Sequence, residues 1–493
     1  MATFQYSAQA NGSSIDFDPT EVTGDVLNFD ATILPHDVYL VRDENVGGSS
    51  ADDLSVAIID GASAGKHVFL WDMDAKQVTT SNFTFASGGS IFAGDNLSTT
   101  ATDDQGNVQS GTGVDDLFIG FGGNDSQTGK AGNDVFAFYL GADGHYSGAA
   151  GDTINGSSGI DTLRFLDQGE VGANVNLTTG IVTGGDIDGT SNAHVSNVEW
   201  IAGTIFNDNF MGDSKGNVLT GRDGDDTLRG AAGGDTIEGG AGNDMINGGD
   251  NRDWIDYQHA VDGVVVDMDT NPTSHRGTAS DGQGGTDTLI DVENVIGSAF
   301  GDDVTGNANG NVLDLRDGKD MGNGDAGDDT VFGGAGNDKL YGGLGDDLLY
   351  GGVGSDSYYG GPGNDTFVGS GSNAFISDGV ATLGKDTFNV LSVSQGVDTI
   401  FAFDTSTTGM DANVDVIDFT ALFNAIGYTG TDPFADGYLK IENGGGGEGD
   451  PEATDAIISV DINGGGDSWT EILHVADVTA AAMMSNPDYF TFQ

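Results

Sequence analysis

Aspartate recurs at nine-residue intervals along two long stretches of this chain, a spacing that could bring many carboxylates together. The two uninterrupted series hold fourteen positions, of which twelve are Asp and two are Asn. Clustered carboxylate oxygens are the ligands that hard divalent cations prefer. The two series, and a shorter one upstream whose last three members are less regular, are Asp208, Asn217, Asp226, Asp235, Asp244 and Asp253; Asp302, Asn311, Asp320, Asp329, Asp338, Asp347, Asp356 and Asp365; and Asp116, Asp125, Asp134, Asp143, Asp152 and Asp161.

The residues around the best-formed Asp positions are nearly fixed, as in GGAGNDMIN at 239–247, GGAGNDKLY at 333–341 and GGPGNDTFV at 360–368. A Gly lies five residues before most of these Asp residues, and we expect it to adopt a positive φ that turns carbonyl oxygens inward. An apolar residue lies two positions after the Asp and should face the interior of a short strand. These apolar residues are Leu228, Ile237, Ile246, Ile255, Val331, Leu340, Leu349 and Phe367.

The nine-residue period predicts the fold, because it matches one short strand followed by one tight turn. Two such units make one coil of a parallel β-roll, in which equivalent turns stack on one edge about 4.8 Å apart. Two carboxylates at that spacing repel by about 3.5 kcal/mol at an effective dielectric of about 20. A divalent ion between stacked turns removes this repulsion, and its need for six or more oxygens fits Ca²⁺ better than Mg²⁺. A solenoid whose acids only solvate its edges is the weaker alternative, because solubility requires neither a fixed phase nor a paired Gly.

The composition excludes several classes of partner. The 493 residues include 84 Gly, and 78 acidic residues against 15 Lys plus Arg give a formal net charge of -63. This charge argues against binding to nucleic acid or anionic membranes, which need basic residues. The chain has no Cys, so disulfides and thiolate metal sites are excluded. The N-terminal residues lack the features of a Sec signal, and no apolar run reaches the roughly 20 residues of a membrane span.

A longer segment of the chain is duplicated: Val198–Leu219 matches Val292–Leu313 at an offset of 94 residues. Each copy is followed by a run of nonapeptide repeats. We expect residues 165–200 and 256–296 to form excursions between calcium-rich blocks, and we expect a helix only at Val478–Met484. The predicted fold is all-β: a parallel β-roll (β-solenoid) of nonapeptide repeats, flanked by an N-terminal β module and a C-terminal β-rich secretion cap. The predicted regions are the N-terminal module at 1–105, the first repeat block at 106–165, an insert with the second block at 166–255, the duplicated insert with the third block at 256–370, and the C-terminal region at 371–493.

The repeat text resembles that of the RTX, or hemolysin-type, calcium-binding repeat proteins over about residues 106–370. In that family the Asp carboxylate and the Gly-turn carbonyls of successive coils bind Ca²⁺, so the resemblance implies roughly ten calcium ions here. The residues that it implies as metal ligands or as parts of the ligating turns are Asp116, Asp125, Asp134, Gly221, Asp226, Gly230, Asp235, Gly239, Gly242, Asp244, Asp253, Gly324, Asp329, Gly333, Gly336, Asp338, Gly342, Gly345, Asp347, Gly351, Gly354, Asp356, Gly360, Gly363 and Asp365.

The C-terminal region resembles the type I secretion region of the same family. Val397–Asp404 and Asp415–Leu422 look like its strands after the repeats, and the final DYFTFQ is similar to its terminal signal. The resemblance implies one-step export from a Gram-negative bacterium by a type I secretion apparatus, with an uncleaved signal. We therefore expect a secreted protein, extracellular or at the cell surface.

The sequence predicts no catalytic site. A GxSxG string spans Gly61–Gly65, but its Ser63 lies between two apparent strands, whereas a hydrolase needs a strand–turn–helix inside a large α/β fold. No HExxH is present, and Asp267–Asn271 starts like an EF-hand loop but is followed by Pro272 where Gly is required. We expect a hairpin turn at Ser63, no EF-hand and no enzyme.

The leading hypothesis is a secreted calcium-binding structural protein that folds on extracellular Ca²⁺ and acts in a surface layer, in adhesion or in assembly. Its expected partners are calcium ions, the type I secretion apparatus, and either a second copy of itself or cell-surface polysaccharide. The alternative is a secreted enzyme or carbohydrate-binding effector that uses the repeats for export and folding, with residues 1–105 or an insert as the active module.

Overall fold

In a computed structural model of the chain, almost every regular element is a β-strand. The chain divides into two compact units, residues 1–239 with 249–251 and residues 240–248 with 252–493. The structure describes eight strands among the first 107 residues and then residues 108–119, 125–140, 146–147, 151–165, 172–184, 193–271, 276–369, 387–390, 398–401, 415–444, 455–462, 469–476, 478–485 and 489–492.

The first eight strands belong to the N-terminal part of unit 1. Strands β1, β3 and β7 form a parallel sheet, and β4, β5 and β6 are antiparallel neighbours in a second sheet that β2 completes. Strand β8 pairs instead with the repeat region. Their bounds are β1 Thr3–Gln5, β2 Ser13–Asp16, β3 Val26–Phe29, β4 Val38–Asp43, β5 Asp53–Ile58, β6 Lys66–Trp71, β7 Phe83–Phe85 and β8 Ile91–Ala93.

The following strands of the chain are β9 Val108–Ser110, β10 Leu117–Ile119, β11 Ser126–Ala131, β12 Val135–Leu140, β13 Tyr146–Ser147, β14 Thr153–Ser158, β15 Thr162–Phe165, β16 Ala173–Asn176, β17 Ile181–Gly184, β18 Ala193–Ser196, β19 Trp200–Ala202, β20 Asn209–Met211, β21 Val218–Asp223, β22 Thr227–Ala232 and β23 Thr236–Ala241. Strands β8, β10, β12, β15, β19 and β21 pair in parallel in that order. Strands β9, β11, β14 and β18 form a second parallel series, so that the chain alternates between two sheets.

Unit 2 repeats this alternation. Its strands are β24 Met245–Asp250, β25 Trp254–Asp256, β26 Val265–Asn271, β27 Arg276–Ser280, β28 Thr286–Ile290, β29 Asn294–Ile296, β30 Asp303–Thr305, β31 Val312–Asp314, β32 Asp317–Gly318, β33 Met321–Ala326, β34 Thr330–Gly336, β35 Lys339–Leu344, β36 Leu348–Gly354, β37 Ser357–Tyr359, β38 Thr366–Val368, β39 Thr387–Asn389, β40 Asp398–Phe401, β41 Val416–Asp418, β42 Leu439–Asn443, β43 Ala456–Val460, β44 Thr470–Val475 and β45 Phe490–Thr491. Strands β29, β31, β34, β36, β38 and β40 pair in parallel in one sheet, and β30, β33, β35, β37, β39 and β41 in the other.

Parallel neighbours within the repeats are separated by two nonapeptides, which confirms the predicted β-roll. Thr330 of β34, for example, pairs with Leu348 of β36, which pairs with Thr366 of β38. The apolar residue two positions after each Asp is buried, as predicted, and forms interior columns in which residues of successive coils stack. One column in unit 2 runs through Leu313, Val331, Leu349, Phe367 and Ile400, all at most 3 % exposed.

The two predicted excursions are antiparallel inserts within one of the two sheets of each unit. In unit 1, β16 and β17 pair antiparallel, β17 pairs antiparallel with β18, and β16 then pairs in parallel with β20. In unit 2, β26, β27 and β28 repeat this arrangement, and β26 pairs in parallel with β30. The duplication is therefore a duplication of structure, and the roll resumes directly after each insert.

Two short helices lie in the C-terminal part of unit 2, so the prediction of a single helix candidate was wrong. Helix α2 (Ala480–Met483) lies within the predicted segment, whereas α1 (Thr420–Ile426) was not predicted. Helix α1 buries Leu422 and Phe423, and the latter packs against Phe419, Tyr428 and Phe492. Its seven residues are too few to show a helical period against the aromatic background.

The chain terminus is part of this C-terminal fold. Strand β45 pairs in parallel with β41, and the ring of Phe490 lies within 6.3 Å of that of Phe419. Among the described residues, no helix is long and apolar enough to cross a bilayer. The boundaries of the five predicted regions stay a prediction.

Candidate metal centre

The Asp residues of the repeats line the turns at the edges of the roll, and their carboxylates connect successive coils. Oxygen Oδ1 of Asp347 accepts a hydrogen bond from the backbone N–H of Asp329, 18 residues earlier, at 2.9 Å. The same bond recurs from Asp320 to Asp338 at 2.9 Å and from Asp338 to Asp356 at 3.0 Å. Further members are Asp116 to Asp134, Asp208 to Asp226, Asn217 to Asp235, Asp302 to Asp320, Asn311 to Asp329 and Asp347 to Asp365. One carboxylate oxygen per turn is therefore committed to holding the neighbouring coil.

The second carboxylate oxygen, Oδ2, has a different environment. It is buried and has no hydrogen-bond partner in Asp134, Asp161, Asp320, Asp329, Asp338, Asp347 and Asp365. A buried carboxylate oxygen without a donor costs free energy unless a cation or proton compensates it. We call a turn with such an Oδ2 an open turn.

Each open turn with a Gly five residues before its Asp directs Oδ2 toward that Gly. A Cβ placed on Gly333 would lie 2.7 Å from Asp338 Oδ2 and 2.7 Å from the carbonyl oxygen of Gly351 in the next coil. Gly324 has the same surroundings, formed by Asp329 Oδ2 and the Gly342 carbonyl. Carboxylate and carbonyl oxygens from two coils therefore converge on one small volume, as a hard cation requires.

The Gly that recurs five residues before the Asp has a different physical role from the one predicted. The Gly five residues before the Asp, such as Gly333, does not have a positive φ. Gly is required there because Asp Oδ2 and a carbonyl oxygen lie where the Cβ of any other residue would be. Positive φ occurs instead four and two residues before the Asp, as in Gly334 (95°) and Gly336 (158°). The prediction of positive φ at the first Gly was therefore wrong in its placement within the turn.

The position four residues before the Asp keeps its positive φ even where it is not Gly. Lys130, Ser157, Arg222, Ala231, Arg316 and Asp325 hold this position with φ between 68° and 86°. A left-handed conformation costs a non-Gly residue roughly 1–2 kcal/mol. The turn geometry is thus imposed by the stacked coils rather than by local preference alone.

The structure places every predicted Asp ligand in a buried turn at the edge of its unit. In unit 1 these are Asp116, Asp125, Asp134, Asp226 and Asp235, with Gly221, Gly230 and Gly239 as the first turn glycines. In unit 2 the Asp ligands are Asp244, Asp253, Asp329, Asp338, Asp347, Asp356 and Asp365. Their first turn glycines are Gly324, Gly333, Gly342, Gly351 and Gly360, and Gly242, Gly336, Gly345, Gly354 and Gly363 follow with positive φ.

Three predicted ligands have hydrogen-bond partners that differ from those of the other turns. Asp116 Oδ2 accepts hydrogen bonds from the N–H and the hydroxyl of Thr112, at 2.6 and 2.9 Å. Asp244 donates its N–H group to Asp287, in strand β28 of the second insert, and Asp253 donates its N–H group to Glu293, just after that strand. These three turns border an insert or begin a block, where the two-nonapeptide stacking is interrupted.

Several site residues lie outside the set implied by the resemblance. Asp161 has an unpartnered Oδ2, and its Oδ1 accepts the N–H of Asp134 at 2.8 Å across a separation of 27 residues. Asp152 stands in the same relation to Asp125, and Asp398 accepts the N–H of Asp365 from 33 residues further along. Their regular spacing is hidden by intervening segments, although the short upstream series of Asp did contain Asp152 and Asp161.

Asp320 is an open turn in which the residues at two positions of the repeat are exchanged. The first turn position holds Leu315, which is fully buried, and the usual apolar position holds Gly322. A Cβ on Gly322 would meet the side chains of Leu315 and Val331, so Leu315 fills the interior space that Gly322 leaves. Asp320 consequently lacks the Gly that other open turns place against Oδ2.

Burial raises the pKa of the carboxyls in the open turns. The pKa of Asp329 is about 7, with burial as the main cause, the Asn311 N–H lowering it and the charge of Asp347 raising it. For Asp365 the pKa is about 8 and for Asp338 about 6, again mainly through burial. The carboxyls of the folded turns thus bind a proton more readily than an exposed Asp does.

The oxygens of the open turns form a donor set that fits Ca²⁺. Within the described residues no three His, Asp or Glu side chains converge on one point. A cation in an open turn would instead combine one carboxylate oxygen with Gly carbonyls of adjacent coils, an all-oxygen set typical of Ca²⁺. Its positive charge would compensate the buried Oδ2 and the repulsion between stacked carboxylates.

Together, the GxSxG string and the EF-hand-like segment lie only partly within the described residues. Ser63 lies outside the described residues, and the flanking strands β5 and β6 pair antiparallel, with Ile58 opposite Lys66. Asp267 belongs to strand β26 of the second insert, which pairs antiparallel with β27, and Asp267 Oδ1 accepts the N–H of Asp269. His194 and His259 are exposed on separate strand ends and turns.

Comparison with known proteins agrees with this geometry. The model of the RTX calcium-binding nonapeptide repeat matches residues 146–164, 202–237, 229–257, 323–358 and 332–367. No curated protein sequence matches the chain. Among solved structures, extracellular lipase LipA from Serratia marcescens is 18% identical with a TM-score of 0.19, over 62% of this chain and 42% of the lipase. The chain therefore spans less than half of that protein. The matched blocks, with their stacked Gly–Asp turns, are therefore RTX calcium-binding nonapeptide repeats.

Proposed function

We propose that this protein is a secreted, non-enzymatic calcium-binding protein that folds when it meets extracellular Ca²⁺ and then serves a structural role at the cell surface or in the matrix. The observation that carries this proposal is the repeated open turn, in which Oδ2 of residues such as Asp338 is buried against a Gly carbonyl of the next coil. The ligands proposed for Ca²⁺ are the Asp residues of these turns together with the Gly carbonyls facing them.

The energetics favour a folding switch. Without a divalent ion, several buried carboxylates per unit oppose each other, and each stacked pair costs about 3.5 kcal/mol at an effective dielectric of about 20. Binding stabilises the folded chain by about 2.7 kcal/mol per independent site at 100-fold saturation. Because neighbouring turns share coils, folding should be steep in calcium concentration.

The direct test is far-ultraviolet circular dichroism of the full chain after chelation, followed by titration with Ca²⁺ and, in parallel, with Mg²⁺. We expect β-structure to appear steeply with Ca²⁺ and far less with Mg²⁺, which demands a stricter octahedral geometry. A β signal that is the same in chelator and in saturating Ca²⁺ would refute the proposed switch.

The structural role has its own test, which is electron microscopy of the purified protein with Ca²⁺. Sheets or filaments would support assembly in a surface layer or matrix, whereas dispersed single particles would contradict it. Pull-down on cell-surface polysaccharide tests adhesion as the second form of this role. Screens against polysaccharide and ester substrates, with Ser63→Ala as control, test the alternative of a secreted enzyme or carbohydrate-binding effector.

A further inference from the structure

Each copy of the duplicated segment begins with a turn in which the protein itself satisfies the Asp carboxylate. Asp208 Oδ2 accepts the N–H of Thr204 at 2.7 Å, and its Oδ1 accepts the Thr204 hydroxyl at 3.0 Å and the N–H of Ala173. In the second copy, Asp302 accepts the N–H of Ser298 at 2.8 Å and its hydroxyl at 2.7 Å, and the N–H of Val264 at 2.8 Å.

The next turn of each copy is closed as well, but by an Asn. Asn217 Oδ1 accepts the N–H of Asp213 at 2.8 Å, and its Nδ2 donates to the Glu199 carbonyl at 3.3 Å. Asn311 Oδ1 likewise accepts the N–H of Asn307 at 2.8 Å, and its Nδ2 donates to the Glu293 carbonyl at 2.7 Å. A neutral amide carries both donor and acceptor, so this turn has no buried charge to compensate.

Together the two turns make one complete coil, with both of its edges held by protein hydrogen bonds. The open turns differ at the position four residues before the Asp, where Gly334 or Asp325 adopts a positive φ, whereas the residue at this position in the closed turns donates its backbone N–H to the Asp or Asn. At the same position the closed turns carry Thr204, Asp213, Ser298 and Asn307.

We propose that residues 198–219 and 292–313 are calcium-independent starter coils that fold before metal binds and template the calcium-dependent coils that follow them. This inference rests on the proposed calcium-driven folding. In a solenoid, stability comes largely from the interface with a neighbouring repeat, so the first coil without a partner is the costly one. A prefolded coil removes that cost.

The starter coils also supply bonds to the coils that follow. The N–H of Asp302 donates to Asp320 Oδ1 at 2.8 Å, and that of Asn311 donates to Asp329 Oδ1 at 2.7 Å. In unit 1 the N–H groups of Asp208 and Asn217 make the same bonds to Asp226 and Asp235. The first calcium-type carboxylates of each block are therefore positioned by a coil that needs no ion.

Hydrogen–deuterium exchange of the full chain in chelator, read by mass spectrometry, tests the inference. Peptides covering 198–219 and 292–313 should be protected at least about tenfold over peptides covering 333–368, and added Ca²⁺ should protect all three. Equal exchange of the three regions in chelator overturns the starter coils. A failure of Ca²⁺ to protect 333–368 would instead contradict the proposed function, so the two failures are distinguishable.

Variants provide a second measurement. The double variant Thr204→Val/Ser298→Ala should lose the protection in chelator and raise the calcium midpoint of folding about tenfold, since buried acceptors lose donors. The matched double variant Thr227→Val/Ser357→Ala changes the same residue types on strands β22 and β37 and should stay within about twofold of the parent. Equal midpoints for the two double variants would contradict the proposal, and the exchange result on the parent chain stands if either variant fails to fold.

Discussion

Replacing Gly333 with Ala should remove one calcium ion without removing any proposed ligand. The new Cβ would lie 2.7 Å from both Asp338 Oδ2 and the Gly351 carbonyl oxygen, 0.7 Å short of the 3.4 Å at which ordinary contact begins. Both oxygens are held by stacked coils, so the collision is relieved only by moving backbone. Overpacking of this kind costs about 1–3 kcal/mol, which corresponds to a loss in calcium affinity of about 5- to 150-fold at that turn.

Isothermal titration calorimetry of the full chain measures this directly. Gly333→Ala should bind one calcium ion fewer than the parent at a concentration that fills the other sites. The matched control is Gly113→Ala, because a Cβ at Gly113 would have no heavy atom within 4 Å. If Gly333→Ala kept the parent's stoichiometry and affinity, Oδ2 and the facing carbonyl would not form the cation site, and the reasoning for every open turn would be refuted.

Four further outcomes follow from the same geometry. Asp347→Asn should raise the calcium midpoint of folding about tenfold, because Asn keeps the acceptor for the Asp329 N–H but loses the charge. The control Asp303→Asn removes the same charge from the strand beside Asp302 and should shift this midpoint by less than about twofold. Ala231→Gly should raise the free energy of unfolding in Ca²⁺ by about 1 kcal/mol, because φ is 83° at this residue; denaturant unfolding measures it, and an unchanged or lower stability contradicts it. In chelator, circular dichroism should show more β-structure at pH 5 than at pH 8, because the pKa of carboxyls such as Asp329 is about 7 in the folded chain and 3.8 in an exposed Asp. Protonation of these carboxyls therefore stabilises the calcium-free fold fully below pH 3.8, and this stabilisation is lost as the pH rises through 6 to 8. A calcium-free chain that is better folded at pH 8 than at pH 5 would contradict the predicted direction. Removal of Ca²⁺ from the folded protein should expose the interior columns to exchange, and retained protection of 333–368 after exhaustive chelation would contradict the role of the ion.

The fold was predictable because each nine-residue repeat contains the residues that define its own strand and turn. The period of Asp fixes the coil length, and the apolar residue after it, such as Leu340 or Leu349, is fully buried in the column that the period implies. These two signals, the period of Asp and the apolar residue after it, are enough to recognise a strand of three to seven residues with one interior side chain. The stacking of turns two nonapeptides apart followed from the same period.

The site was less predictable where the stacking partner is distant in sequence. Asp398 completes the hydrogen bond of Asp365 across 33 residues, which is not a multiple of nine, so only strand pairing reveals it. Asp161 belongs to the upstream series, but its pairing with Asp134 across 27 residues does not follow from the two-nonapeptide coil. The exchange of Leu315 and Gly322 was likewise invisible, because each looks like a defect until the two side chains are seen to share one space. In contrast, Thr112, Thr204 and Ser298 were a readable signal, since a hydroxyl four residues before Asp can donate to its carboxylate.

The hydrogen bond between successive Asp residues has a direction, and this gives the roll a polarity. Each coil receives its acceptor from the coil that follows it in sequence, so a coil at the C-terminal end of a block depends on an acceptor from outside the block. For Asp365 that acceptor is Asp398, at 3.1 Å. Excision of 18 residues, such as 338–355, should therefore shorten the roll and leave every remaining turn amide with a partner. Excision of nine residues would instead exchange the two faces of the roll. Loss of Asp398 would unfold the block from its last turn backwards.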